Sequence, residues 1–161
     1  MNRIELRDNL IEQINQAFAD VDYPGDGTLF GNDETRELIG KHWKEVSLET
    51  LAVQSRLLYL SPKALHFYLR AYLIAILANP EKMDVLVDDI VHFLSPSPSI
   101  LQNAGLIPYL PNFEANQSSA IRAFFEAYSE IFTEGGWRVY EPTREALERA
   151  IIYWQWVCNK V

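Results

Sequence analysis

The sequence predicts an all-α fold, with a single compact domain of five to seven helices packed around one central buried helix at 61–78. Three observations predict this fold class. Apolar residues recur at helical spacing along most of the chain. The stretch 61–78 is apolar on nearly every side, which is typical of a fully buried helix. A short extended piece is conceivable only at 137–140, and one strand forms no sheet. Residues 1–161 have the length of one domain.

The central helix has clear signals at both ends. Ser61 can cap the first turn through its hydroxyl, and Pro62 is tolerated at the first helical position because the proline nitrogen needs no partner there. Asn79-Pro80 ends the helix, since proline disfavours helical geometry in the residue before it. Inside these limits, three polar residues spaced three and four apart form one narrow stripe: Lys63, His66 and Arg70.

The remaining helices follow from amphipathic periodicity and turn signals. They are predicted at about 3–20, 33–43, 47–56, 80–94, 115–132 and 142–158. The first ends at the turn dipeptides Pro24-Gly25 and Asp26-Gly27. The stretch 100–113 has no firm period, and its prolines and apolar residues predict an ordered crossover lying on the core.

Composition and charge favour a soluble cytoplasmic protein. The formal net charge of −8 argues against a nucleic-acid partner, which requires a basic face. A single cysteine, Cys158, excludes an internal disulfide and fits a reducing compartment. The N-terminal stretch has no signal-peptide core, and no apolar run reaches the roughly 20 residues needed to span a bilayer. We therefore expect no membrane partner and no cofactor.

Four segments share the order and pattern of a known group of proteins. They are AFADVDYPGDGTLF, GKHWKEVSLETL, LSPKALHFYLRAYLIAIL and NQSSAIRAFFEAY. These segments resemble an uncharacterised bacterial family, a domain of unknown function. The motifs that carry the resemblance are the YPGD turn, GK-x-W-x-E, F-Y-L-x-A-Y-L and Q-x-x-A-I-x-x-F-F. The resemblance covers most of residues 17–128. It implies kinship and no particular activity.

The acidic turn after the first helix resembles a calcium-binding loop. Counted over twelve residues, Asp22, Asp26 and Asp33 fall at positions 1, 5 and 12 of such a loop, with Gly27 at the sharp-turn position. Pro24, at position 3, supplies no side-chain oxygen. The alternative interpretation is a tight turn whose acids cap the following helix, and the sequence favours this turn.

The polar stripe on the central helix allows two interpretations. In one interpretation, Lys63, His66 and Arg70 form an anion site or a proton-transfer site, and the protein is an enzyme with an unrecognised site near His66 and Arg70. Alternatively, their charged ends reach the surface or pair with acids of an adjacent helix, which is the favoured interpretation. The sequence contains no G-x-S-x-G and no phosphate-binding loop.

The last helix has two apolar faces. Ile152 and Trp156 lie on a different face from its main inward stripe, so Trp156 is either presented outward as an interface anchor or covered by 100–113. The function best supported by the sequence is a non-enzymatic, acidic protein-binding domain with a regulatory or immunity-like role. A metal-responsive helix-loop-helix module and an enzyme are the alternatives.

Overall fold

The computed structural model describes residues 2–28, 35–53, 56–133 and 141–160. These residues form seven α-helices and four short 3₁₀ turns, and they contain no strand. The α-helices are α1 Arg3–Ala17, α2 Leu48–Leu51, α3 Pro62–Ala78, α4 Asp84–Leu94, α5 Pro98–Gln102, α6 Ala115–Thr133 and α7 Glu141–Lys160. The predicted all-α fold class is confirmed. The predicted extended piece at 137–140 lies outside the described residues.

Helix α3 is the predicted central helix, and its bounds agree with the prediction. The Ser61 hydroxyl accepts a hydrogen bond from the backbone N–H of Ala64 at 3.2 Å, and Pro62 occupies the first turn. Twelve of its 17 residues are buried, on all sides of the helix. The helix ends at Asn79, whose backbone leaves the helical region. Burial all round requires neighbours on every side, and α1, α2 and α4 all contact α3.

The five long helices form a closed cycle of contacts. Helix α3 packs against α1, α1 against α6, α6 against α7, α7 against α4, and α4 again against α3. One apolar core lies inside this cycle and includes Phe18, Leu73, Ile90, Phe124 and Trp154. The cycle brings the start of α6 beside the end of α1, which positions one of the two clefts described below.

The predicted helix at 33–43 is wrong for the residues that the structure describes. Residues 35–43 instead contain the 3₁₀ turn Arg36–Leu38 and a bend at Gly40, whose φ of +72° lies in the left-handed region. A buried tyrosine on α3 stabilises this irregular path, because the Tyr68 hydroxyl lies 2.7 Å from the carbonyl oxygen of Leu38 and 2.8 Å from that of Lys41. Tertiary contacts therefore override the local helical pattern.

The predicted crossover between α4 and α6 is ordered and lies on the core. It begins with α5, which the sequence did not predict, and the Ser97 hydroxyl caps this helix by accepting from the N–H of Ile100 at 3.3 Å. Further along, the Tyr109 hydroxyl donates to the carbonyl of Phe93 at 2.9 Å. The N–H of Ile107 donates to the Tyr153 hydroxyl at 3.2 Å. These bonds attach the segment 106–113 to α4 and α7.

The burial of α3 predicts a large cost for emptying its core positions. Leu73 is fully buried, so Leu73→Ala should lower the free energy of unfolding by about 2–5 kcal/mol, measured by urea denaturation followed by circular dichroism. Ile4→Ala on α1 is the control: its side chain is 62% exposed, and we expect a change of about 0.5 kcal/mol or less. Equal small losses at both positions would show that α3 is peripheral.

Candidate functional site

A polar cleft brings together two groups of residues that the sequence analysis treated separately. The cleft has a volume of about 340 Å³ and lies between the end of α1 with the loop after it, the start of α3 and the start of α6. Asp22 lines it together with Lys63 and His66. Four further polar residues line it on the α1 and α6 sides: Asp20, Glu114, Asn116 and Gln117.

A glutamine of α6 orients the imidazole of His66. The Nε2 atom of His66 lies 2.8 Å from Oε1 of Gln117, and the same oxygen accepts a hydrogen bond from the N–H of Glu114 at 3.0 Å. The bond from the Glu114 N–H identifies this atom as the amide oxygen, which can only accept, so Nε2 of His66 carries a proton and donates to it. Phe18 and Phe113 contact the ring edge-to-face, with centroids 6.1 and 5.6 Å away. The His66 ring is thus held in one orientation.

The acidic turn after α1 is held by hydrogen bonds within the protein. The Tyr23 hydroxyl donates to the Asp26 carboxylate and accepts from the N–H of Gly40 at 3.0 Å. Burial is the largest cause that raises the pKa of the Tyr23 hydroxyl, and the hydrogen bond to Asp26 raises this pKa further. The positive φ of +93° occurs at Gly25, whereas Gly27 lies in the 3₁₀ turn Asp26–Thr28. A calcium-type loop places its sharp turn at the position of Gly27.

The proposed metal ligands do not form one described group. Asp22 lines the polar cleft, Asp26 accepts from Tyr23, and Asp33 lies outside the described residues. Within the described ranges, no group of three His, Cys, Asp or Glu side chains is placed to hold a metal ion. The metal site and the turn whose acids cap the following helix therefore both stay predictions.

Arg70 is separated from the other two residues of the polar stripe. It is 5% exposed, and its Nη1 donates to the carbonyl of Phe18 at 2.8 Å. Its guanidinium lies over the Trp43 ring, 4.2 Å from the centroid. Burial lowers the pKa of Arg70, yet a guanidinium remains charged in proteins. The expected surface position of Arg70 is wrong, because the side chain is buried. Among the described residues, its guanidinium contacts a backbone carbonyl and an aromatic face. Arg70 is therefore not among the residues that line the polar cleft with His66.

A second cleft, the apolar groove, lies between the segment 106–113 and α7. Its volume is about 370 Å³, and its walls include Leu106, Pro111 and Trp156. Trp156 is half-buried, with its ring 5.8 Å from that of Tyr153. Lys160 lies above the same indole, with Nζ 3.8 Å from the ring centroid, a cation–π contact.

The two expectations for Trp156 are both met in part. The segment 106–113 flanks the indole without covering it fully. Ile152, one helical turn before Trp156, is 53% exposed on the outer side of α7. The outer face of the last helix therefore includes Ile152, which is about half exposed, and part of Trp156.

Several residues in these clefts were absent from the sequence-based candidates. Gln117 had a recognisable signal, since a glutamine at the third position of a helix commonly bonds back to the residue before the helix, as it does here with Glu114. Ser118 and Lys160 had none. Both line the apolar groove only because the fold places the start of α6 beside the end of α7.

The family to which the chain belongs can be stated from a sequence comparison. The pattern of a family of unknown function, DUF6714, matches residues 6–156. The chain belongs to DUF6714. This membership confirms the kinship expected from the four segments. No curated protein and no solved structure matches the chain. In the part of this DUF6714 member that the structure describes, no helix is long and apolar enough to cross a membrane.

The contacts of Arg70 predict that it stabilises the fold. Arg70→Met removes the donor to the Phe18 carbonyl and leaves that oxygen buried, so the free energy of unfolding should fall by about 1–3 kcal/mol in urea denaturation. Arg7→Met, the same substitution at a side chain that is 38% exposed beside Asp8, should change it by about 0.5 kcal/mol or less. A more stable Arg70→Met protein would show that desolvating the guanidinium outweighs its contacts.

The geometry of the acidic turn predicts a negligible response to calcium. Melting temperatures measured by circular dichroism in about 1 mM calcium and in excess chelator should agree, because Pro24 gives no ligand and Asp26 already accepts from Tyr23. Asp22→Asn should alter stability by about 0.5 kcal/mol or less. A calcium-dependent rise in melting temperature that Asp22→Asn abolishes would establish a metal site instead.

Proposed function

We propose that this chain is a non-enzymatic protein-binding domain of the bacterial cytoplasm, with a regulatory or immunity-like role. Its docking surface, called the α7 surface below, consists of Ile152, Trp156 and Leu106. The observation that carries the proposal is the exposure of Ile152, at 53%, one turn from a half-buried tryptophan. Residues four apart on a helix are neighbours on one side, so the two form a continuous apolar area.

The chemistry of the α7 surface resembles that of protein interfaces. A partly buried tryptophan among apolar residues is a common anchor, because a large amphipathic ring contributes much contact area with few rotatable bonds. Leu106 extends the apolar area across the groove, and it is 62% exposed. Exposed apolar residues that lie together point to a binding site more strongly than single exposed ones do.

The net charge indicates the chemistry of the partner. With 22 acidic and 14 basic residues, the chain is negative at neutral pH and attracts positively charged proteins over a longer range than the apolar contact itself acts. We propose a basic protein that places an apolar segment on the α7 surface.

The single cysteine, Cys158, supports the cytoplasmic and non-enzymatic parts of the proposal. A chain with one cysteine fits a reducing compartment. Burial raises the pKa of the Cys158 thiol, so this group is a poor nucleophile.

A photo-crosslinking residue introduced at Ile152 in living cells should attach to the partner, and the same residue introduced at Val85 should not. Val85 is 45% exposed on α4, which makes it a matched apolar control. The partner is then identified by mass spectrometry, purified and titrated against the chain by calorimetry. We expect Ile152→Glu to weaken this affinity about tenfold or more, and Val85→Glu to leave it unchanged.

The melting temperatures of both variants should remain near that of the unchanged chain, because both positions are exposed. Equal affinities for Ile152→Glu and the unchanged chain would exclude the α7 surface as the docking site. Equal losses for Ile152→Glu and Val85→Glu would show that added negative charge, and not the apolar surface, accounts for the effect.

A further inference from the structure

The apolar groove differs in charge from the rest of the molecule. The chain carries 22 acidic residues, yet none lies among the described residues that line the groove. The lining includes one cation, Lys160, whose ammonium lies over the face of Trp156. A cavity without carboxylates and with a cation at its wall is complementary to an anion. This is opposite in sign to the polar cleft, where Asp20, Asp22 and Glu114 outnumber Lys63.

A buried hydroxyl in the same groove has no partner. Ser118 is fully buried near the start of α6 and belongs to the groove lining. Its Oγ makes no hydrogen bond with any residue that the structure describes. The other buried polar groups of the lining are satisfied: the Tyr153 hydroxyl accepts from Ile107, and Trp154 Nε1 donates to the Leu94 carbonyl at 3.0 Å. Buried polar groups are rarely left unpaired without a ligand or a water to receive them.

We infer that the apolar groove binds a small organic anion with an aromatic or branched apolar body. The body lies between Pro111 and Trp156, the anionic group lies near Lys160, and a second polar group of the ligand hydrogen-bonds to Ser118. The groove volume of about 370 Å³ falls in the range of small-molecule sites, which are mostly apolar with a few placed polar groups. This ligand goes beyond the proposed protein docking and is testable on the isolated chain.

The test compares two dyes that share one apolar body. The dye 8-anilinonaphthalene-1-sulfonate carries a sulfonate, and N-phenyl-1-naphthylamine is the same arylamine without it. We expect the sulfonate to bind one site per chain, at least about tenfold more tightly than the neutral dye, in titrations followed by dye fluorescence. A ligand of the folded state also raises the melting temperature. Equal affinity for both dyes, or a sulfonate that lowers the melting temperature, would overturn the inference.

Substitutions then assign the binding to the groove. Lys160→Glu should weaken the sulfonate about tenfold and leave the neutral dye unchanged. Lys63→Glu makes the same change in net charge at the polar cleft and should leave both dyes unchanged. Ser118→Ala should weaken the neutral dye, whose amine can bond to the hydroxyl, about threefold or more, with no loss of protein stability. Equal effects of Lys160→Glu and Lys63→Glu would show that net charge, and not the groove, attracts the anion.

Ser118→Ala also tests the hydroxyl separately from the charge. If Ser118→Ala binds both dyes as tightly as the unchanged chain, the part of the inference that concerns Ser118 is wrong. Melting curves without dye exclude misfolding as a cause, since Lys160 is exposed and Ser118→Ala removes only an unpaired atom. The proposed docking at Ile152 is measured with a protein partner, so either proposal can fail alone.

Discussion

The burial of α3 on all of its sides is the constraint on which the rest of the structure depends. An apolar helix of this length must be covered completely, and the chain covers it with α1, α2 and α4. Two buried polar side chains of α3 add a second requirement, because each needs a hydrogen-bond partner away from water. Tyr68 finds the carbonyls of Leu38 and Lys41, and Arg70 finds the carbonyl of Phe18. These carbonyls lie outside the α-helices: Leu38 and Lys41 belong to the 3₁₀ and turn segments before α2, and Phe18 is the C-cap of α1. The position of the loops is thus determined by polar groups of α3.

The same requirement explains why the polar stripe divides into two environments. Lys63 and His66 lie near the start of α3, where the polar cleft separates this helix from the end of α1 and the start of α6. Arg70 lies one turn deeper, under Trp43, where no described acid pairs with it. A guanidinium stacked on an aromatic ring retains part of the interaction that water would provide, because the ring face is electron-rich. The cleft therefore has a fixed imidazole and an exposed lysine, whereas Arg70 serves the packing of α1 against α3.

The bounds of α3 could be predicted from the sequence because their causes are local. Ser61 and Pro62 at one end and Asn79-Pro80 at the other act within a few residues. The irregular path of 35–43 could not be predicted, since the bonds that hold it come from Tyr68, about thirty positions away. The polar cleft has the same origin: Asp22 meets His66 only after α1 and α3 pack together. Periodicity reports which side of a helix is buried, but it does not report which polar groups will face one another in the folded chain.

The apolar groove and the α7 surface share Leu106 and Trp156, and the shared tryptophan has a physical consequence. Under the two proposals, a ligand in the groove and a protein on the α7 surface would each contact the indole of Trp156. Binding at one site then changes the conformational freedom of a side chain that the other site uses.

The sign of this coupling depends on the orientation of Trp156. If the ligand fixes Trp156 in the orientation that the partner also requires, less side-chain entropy of Trp156 is lost when the partner docks, and the two affinities rise together. If the required orientations differ, the affinities oppose each other by the same factor in both directions, because coupling between two binding sites is reciprocal. If both proposed sites exist, Trp156, which contacts Tyr153 and Lys160, is therefore the residue that couples them.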